Sequence, residues 1–464
     1  MEWRRAHCFS NTPLLRISCV IMANNSLSRM VWKLSIPIIF VEATETFDHL
    51  IATLFLSRVG MTELGAIAVA DSVLLLFLIL PLSMVDGIQI LTARRIGQRR
   101  PEAVGAVFNQ GFLIAISLAV IATIALKLFS PVVAYWLVES ETVGNAINSY
   151  LQLDAYSLPF AGATFAFSAL LTSMGNTRAL IPATAIVVIT DIVLNYLFIF
   201  GNFGCPRLGM RGAALASIGA EFAAAIYLAS YVWKHFDQKQ YRFFHFRKFE
   251  RRTTRLLGIL SAPIAACVFL EDVRWFLFFL IIERVGTSAL AVANIVFTCY
   301  TIFWIPTEGF AETACSMVSR YIGRNRSHRI GELLRSTTGG AILATVPLLA
   351  VALAVPNWVI AAFAPSADLV AQSNASLRVV AMAMLIGIPA QMWLTAVEGT
   401  GDTVAALGIE IVLTIVMVTL TWLAAIHFGW PLAIIWLAVP ATKLVCLTAS
   451  YGWMKSGIWK RLEV

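Results

Sequence analysis

Carboxylates set inside long apolar runs are the residues of this sequence best placed to do chemistry. Glu42, Glu45, Asp48 and His49 share one such run. At about 100° per helical residue, their side chains fall within an arc of about 120°. One helix face is then lined with ionisable groups and suits a watery cavity. The alternative is a set of hydrogen-bonding groups that lock helix packing. Asp191 and Asn195 stand four residues apart and share a face, as do Glu308 and Glu312. Glu271 closes the run PIAACVFLE and precedes Asp272 and Arg274, where an internal Asp–Arg pair is the structural alternative. Glu308 and Glu312 either line a cavity or pair with a base such as Arg274. A carboxylate at a bilayer centre costs about 2.5–3.5 kcal/mol on insertion scales, which makes each of these a functional candidate. Carboxylates, amides and hydroxyls together form a hard oxygen cage suited to Na⁺, and close carboxylates can equally share a proton.

No arrangement for covalent or hydrolytic catalysis accompanies them. The sequence has no GxSxG, no HExxH and no phosphate-binding GxxxxGK[ST] loop. An enzyme is not expected, nor is a cofactor, and energy must come from an ion gradient or from the substrate's own gradient rather than directly from ATP. The seven cysteines form no CxxC pair and no Cys/His cluster, so neither a zinc site nor a disulfide framework is expected.

The elements that must position these groups follow from composition. Hydrophobic residues make up 59% and charged residues 13% of the chain, and mean hydropathy is +0.80. A soluble domain runs at about 45–50% apolar and about 25% charged. The apolar runs are continuous rather than alternating, which in lipid selects helices. Twelve spans are predicted, at 30–57, 63–92, 104–127, 144–171, 179–201, 211–233, 256–283, 288–318, 332–355, 371–397, 404–427 and 431–454. The fold class is an all-α polytopic membrane protein with twelve transmembrane helices in two pseudo-symmetric six-helix bundles.

Two bundles are expected because the sequence repeats itself. Arg58-Val59-Gly60 recurs as Arg284-Val285-Gly286, an offset of 226 residues (284 − 58). The same offset links Pro37 to Pro263, Gly97 to Gly323, and Gly175-x-Thr177 to Gly401-x-Thr403. Internal duplication in a polytopic chain is an architecture of secondary transporters. The expected parts are a tail over 1–29, a bundle over 30–233, a basic linker over 234–255 and a second bundle over 256–464. The linker mixes Tyr241, Phe243, Phe244, Phe246 and Phe249 with its charges, so it reads either as an interfacial amphipathic helix or as a simple connection. The tail carries a short apolar patch, Leu14–Met22, and Met22 or Met30 is a possible start.

The net charge of +8 gathers in alternate loops. Arg94, Arg95, Arg99 and Arg100 share one, Lys234 to Arg255 another, and Arg320, Arg324, Arg326 and Arg329 a third, whereas 128–143 and 356–370 carry no Lys or Arg. That pattern orients a membrane protein with both termini cytoplasmic, in a plasma (inner) membrane; nucleic acid is not expected as a partner, and membrane lipid is.

Three stretches carry a resemblance to a known family. They are LSIPIIFVEATETFDHLIATLFLSRVG, GNTRALIPATAIVVITDIVLNYLFIFGNFGCPRLGMRGAALASIGAE and APIAACVFLEDVRWFLFFLIIERVGTSALA. Over nearly its whole length the chain resembles the multidrug and toxin extrusion (MATE) transporters. The resemblance implies twelve helices in two lobes around a V-shaped cavity, and cation-driven efflux of organic, often cationic, compounds. It places Asp48, in FDHLIATLFLSRVG, where the family has its first-span aspartate. Asp191, Asn195 and Ser217 then complete a cation-binding set, with Na⁺ or H⁺ as coupling ion. Glu271 matches a seventh-span glutamate that one branch uses together with a tenth-span aspartate. Here the corresponding place holds Gly387 or a neighbour, so that second site is incomplete.

Glu42, Glu45, Glu271 and Glu308 are the expected substrate or coupling groups. Pro37 is the expected hinge, because its missing N–H weakens the helical ladder. Trp275, Phe276, Trp304 and Trp393 either stack on a cationic drug or serve as anchors and packing. The implied function is a secondary antiporter exporting hydrophobic or cationic organic compounds, acting as a monomer. The alternative is a flippase of the same superfamily moving a lipid or lipid-linked saccharide. The acidic residues of the spans (Glu42, Glu45, Asp48, Asp71, Asp86, Asp191, Glu221, Glu271, Glu308 and Glu312) favour cationic cargo.

Overall fold

A computed structural model describes residues 25–57, 60–138, 140–245, 249–363 and 366–461 of the chain, without the side chains at 45, 47–54 and a few other positions. The expected tail lies mostly outside the described residues. Among those described, every regular element is helical.

The sequence offset of 226 reappears in the helices themselves. α1 (Asn25–Ser57) and α9 (Arg251–Glu283) each have 33 residues, and α2 (Met61–Gly97) and α10 (Thr287–Gly323) each have 37. The bounds of each pair differ by 226. Each Arg-Val-Gly motif therefore marks the entry to the second helix of a half. Gly175 and Gly401 both adopt positive φ (76° and 87°), where the left-handed conformation ends a helix cheaply. The remaining helices are α3 (Pro101–Leu137), α4 (Glu141–Asp154), α5 (Leu158–Met174), α6 (Leu180–Phe200), α7 (Met210–His235), α8 (Gln238–Tyr241), α11 (Ile330–Ala354), α12 (Pro356–Ala361), α13 (Ala367–Gly399), α14 (Thr403–Trp422), α15 (Leu432–Ile435) and α16 (Ala438–Ser456).

Eight described helical segments are long and apolar enough to cross a bilayer, and two bent pairs raise the number to ten. One bent pair is α4 with α5, at 53°. α1 and α9 have the length but carry several charges each. Together these are the twelve spans the sequence predicts.

Cα packing divides the chain into two compact units. The N unit is Phe40–Phe269; the C unit takes the chain up to Ile39 and from Leu270 onward. The cuts fall inside α1 and α9, shortly after Pro37 and Pro263. The first part of α1 therefore belongs with α10, in the C unit. There Ser35 Oγ donates to Thr313 Oγ1 at 2.9 Å, Trp32 packs edge-on to Phe310 at 5.0 Å, and Gly309 lets the Ile39 backbone approach. The first part of α9 belongs with α2, in the N unit. There Ser261 Oγ lies 3.4 Å from Met84 Sδ and sits over Gly87. Ser35 and Ser261 are 226 apart, as are Gly87 and Thr313, so one contact has been made twice by duplication. Small residues at such crossings are what lets transmembrane backbones approach.

Among its described residues the linker is not an interfacial helix. Between the end of α7 at His235 and the start of α9 at Arg251 the helical piece is α8, four residues long, after which Arg242 and Phe244 take positive φ (55° and 62°). Asn109 holds the turn: its Nδ2 donates to the Arg242 and His245 carbonyls, and its Oδ1 accepts from the Phe244 N–H at 2.8 Å. Phe243 is fully buried against Phe108, and Gly105 leaves room for the Tyr241 carbonyl. Tyr241, Phe243 and Phe244 pack within the N unit, whereas Phe249 is 60% exposed and Phe246 lies outside the described residues.

Substituting Gly309 should be costly, because a Cβ there would stand 2.9 Å from the Ile39 nitrogen. Gly309→Ala is expected to destabilise the protein by about 1–3 kcal/mol, the usual cost of overpacking. Ser35→Ala should cost about 0.6 kcal/mol, as for an average interhelical bond in a bilayer. Thermal unfolding midpoints in one detergent check both values.

Candidate functional site

In the N unit the site is built around a broken span. Pro159, at the second position of α5, has no N–H to offer the Ala155 carbonyl one turn earlier. The Thr123 hydroxyl of α3 supplies the missing donor, at 2.8 Å from that carbonyl. The chain turns through Ala155–Ser157, and the Ser157 N–H bonds back to the Asp154 carbonyl at 2.8 Å. Asp154 is thereby held at the C-terminal end of α4, at 1% exposure.

Around Asp154 gather groups from three further helices. Its strongest charged neighbours are Asp71 of α2, Asp191 of α6 and Glu221 of α7. Tyr150, one turn back on α4, is buried among Asp154, Asp71 and Asp191, with its phenol bonded to Ser217 of α7. Asn195 Nδ2 donates to Asp191 Oδ2, as their spacing on one helix face predicts. Ser217 also donates to the Ala213 carbonyl at 3.3 Å. Asp154 Oδ1 and Asn195 Oδ1 are buried and accept no hydrogen bond.

Three of the four cation-binding residues expected from sequence, Asp191, Asn195 and Ser217, therefore meet in one polar cluster. Asp48 and Glu45 lie on α1, but their side chains lie outside the described residues. Glu42 is half-buried, and its carbonyl accepts from Thr46 at 3.0 Å. Tyr150 and Asp154 are members of the cluster that the sequence reading missed. Asp154 falls inside the predicted span 144–171, and an aspartate in an apolar run was the signal that could have found it.

The C unit is arranged differently. Arg274 is buried and bridges two carboxylates, Glu271 on its own helix at 3.0 Å and Glu410 of α14. The expected Asp272–Arg274 pair is not formed: Asp272 is exposed, and residues two apart point to different sides of a helix. Glu410 went unnoticed in sequence, although it too is a lone carboxylate in an apolar run. Glu308 accepts from the Trp304 indole, and Lys443 Nζ lies 4.4 Å from the centre of a Trp304 ring. Neither Glu308 nor Glu312 is the partner of Arg274 in an ion pair. Gly387 faces that same indole, where a Cβ would approach to 3.0 Å, so an aspartate there would require the indole to shift.

Of the four aromatic candidates, Trp275 is packed against Phe278, Phe297, Tyr300 and Trp436, and Trp393 against Tyr451. Phe276 is 65% exposed. Pro37 and Glu271 lie in the C unit, whereas Asp191, Asn195 and Ser217 lie in the N unit. Among the described residues no group of three His, Cys, Asp or Glu side chains is disposed to hold a metal ion.

The buried Arg274–Glu410 pair predicts an asymmetric response to mutation. Arg274→Gln should cost about 3–5 kcal/mol, because it strands the Glu410 carboxylate in an apolar interior. Replacing both residues with methionine should recover most of that loss. Thermal unfolding of the two variants in detergent makes the comparison.

Comparison with known proteins agrees with this architecture. The MatE family model matches residues 37–197 and 263–444, two blocks that again begin 226 residues apart. A probable multidrug resistance protein NorM from Aromatoleum aromaticum is 29% identical over 255 residues, which cover 54% of this chain and 55% of that one. The chain thus spans about half the length of that relative. A probable NorM from Thermotoga maritima is 21% identical over 434 residues, covering 93% of each chain. The bent form of the Vibrio cholerae MATE transporter VcmN superposes with a TM-score of 0.85 at 16% identity, over 94% of this chain and 97% of that one. A superfamily transporter from Pyrococcus furiosus, described as having a binding pocket of reverse polarity, also gives 0.85 at 16% identity, over 97% and 98%. The model match covers most of the sequence and both of its repeats, and on that ground the chain belongs to the MatE family.

Proposed function

We propose that this protein is a secondary antiporter that exports hydrophobic and cationic organic compounds in exchange for H⁺ or Na⁺. One observation carries the reading: a buried N-unit cluster of acids, an amide and a phenol, whose strongest charged neighbours are acids. Negative groups held away from water need a cation, and a cation that enters and leaves them can drive a cycle. Moving one charge through 100 mV yields about 2.3 kcal/mol. Asp48, Asp191, Asn195 and Ser217 form the cation site in this reading. The relatives named as multidrug resistance proteins support the choice of cargo.

Glu42, Glu45, Glu271 and Glu308 serve cargo binding or coupling, and Pro37 is the hinge. In the C unit Arg274 is matched by its two carboxylates, and Lys443 lies against an indole ring. A free cationic surface for a pyrophosphate-linked lipid is not what these residues offer, and cationic cargo is favoured over a lipid-linked saccharide. The protein works as a monomer in the plasma (inner) membrane with both termini cytoplasmic, and needs no cofactor.

Flux in liposomes tests the reading. Ethidium should move against imposed H⁺ or Na⁺ gradients, and Asp48→Asn should reduce that movement at least about 100-fold, which is about 2.7 kcal/mol. Wild-type flux in Asp48→Asn, or movement of a lipid-linked pyrophosphate in place of ethidium, would sink it. Glu271→Gln should lower transport yet leave cation binding without drug nearly unchanged. Loss of that binding to the same degree as in Asp48→Asn would move the ion site into the C unit.

A further inference from the structure

The cation site assigned above does not account for Asp154. This carboxylate is 1% exposed and bonds the Ser157 side chain, yet its Oδ1 accepts no hydrogen bond. Asn195, also 1% exposed, leaves its own Oδ1 unpaired in the same cluster. Two buried oxygens without donors are uncommon, because each forfeits the hydration it lost on burial. A donor or a cation has to reach them.

Among the described side chains, the charged groups that act most strongly on Asp154 are acids. From α2 comes Asp71, from α6 Asp191, from α7 Glu221, and from α4 itself the Tyr150 phenol. The base on α3 is Lys127, which donates to the Tyr156 hydroxyl and lies 4.1 Å from the centre of its ring. Asp154 also stands at the C-terminal end of α4, where the helix dipole presents partial negative charge. Neighbours and dipole alike favour a bound positive charge. The smallest positive charge a carboxylate can take up is a proton, which turns it into a neutral acid.

We infer that Asp154 is a second proton carrier of the N unit, working beside the Asp48–Asp191–Asn195 site, so that two protons enter for each organic cation that leaves. The inference rests on the antiport reading above. Its chemistry is one reversible step: the Asp154 carboxylate takes a proton from the outer side to become a neutral acid, then releases it to the cytoplasm. With two protons moving in and one monovalent organic cation moving out, each cycle carries one net positive charge inward. Transport is therefore sensitive to membrane voltage as well as to pH.

Steady-state gradients of ethidium in liposomes holding the full chain, with protein-free liposomes subtracted, measure this. The pH difference is fixed by buffers and the voltage by potassium with valinomycin. For two protons the gradient should change about a hundredfold per pH unit, since each proton contributes a tenfold factor. It should also change about tenfold per 59 mV, as for one net charge. Asp154→Asn should keep a pH-driven gradient of about tenfold per unit and lose its voltage dependence, and Asp154→Glu should restore both. A residue needed only for packing would slow flux without changing these slopes.

If Asp154→Asn keeps the wild-type voltage slope while Asp48→Asn abolishes coupling, Asp154 is not a carrier and the antiport reading stands alone. If Asp48→Asn also behaves as wild type, both fall. A gradient driven by Na⁺ and indifferent to pH overturns the proton assignment. Should Asp154→Asn insert but fail to transport, proton release on ethidium binding decides in detergent. About two protons from the wild type and about one from the variant uphold the inference; equal counts overturn it.

Discussion

A charge inside a bilayer must be neutralised by something the protein brings with it, and the two halves of this chain meet that demand in opposite ways. α1 and α9 are repeat copies with matching bounds, yet Arg274 stands in α9 at the place that Asp48 holds in α1 (274 − 48 = 226). Glu271 is likewise the counterpart of Glu45. In the C unit the base is matched internally, by Glu271 and Glu410. In the N unit the buried Asp154 has other acids as its strongest charged neighbours. Duplication preserved the helices while the charges of the two copies diverged.

The broken fourth span shows how local chemistry serves that need. Pro159 ends the hydrogen-bond ladder, Thr123 satisfies the carbonyl it frees, and the break leaves Asp154 at a helix terminus. Non-helical backbone is tolerated at such depth where protein groups complete its bonding. An uninterrupted helix would have carried the same aspartate on its side, without the helix terminus beside it.

Much of this was legible in the sequence, because periodicity and repetition are local properties. The offset of 226 gave both halves, and the structure repeats it in the helix bounds of α1, α2, α9 and α10. The grouping of Asp191 with Asn195 followed from helical geometry alone. What escaped were contacts made between helices distant in sequence. Arg274 finds Glu410 across 136 residues, whereas sequence proximity suggested Asp272. The linker aromatics looked amphipathic in isolation, but Asn109 and Phe108 of α3 determine where they go. Asp154 and Glu410 were overlooked as single acids in apolar spans, a signal that carries little until three dimensions show what surrounds it.

The exchange of first-helix segments between the units also bears on how the chain is made. Residues 25–39 emerge first, but their packing partners belong to α10, and the rest of the C unit starts only at Leu270. About 231 residues (270 − 39) separate the two. At synthesis rates of about 5–20 residues per second, the opening segment waits on the order of tens of seconds for its unit to arrive. The N unit in turn cannot close until Phe269 has been made. Neither half of the gene therefore encodes a self-sufficient folding body, although each encodes a full set of six spans. A ribosome that stalls midway leaves behind two unfinished interfaces rather than one finished domain, and this ties the quality control of the first half to completion of the second.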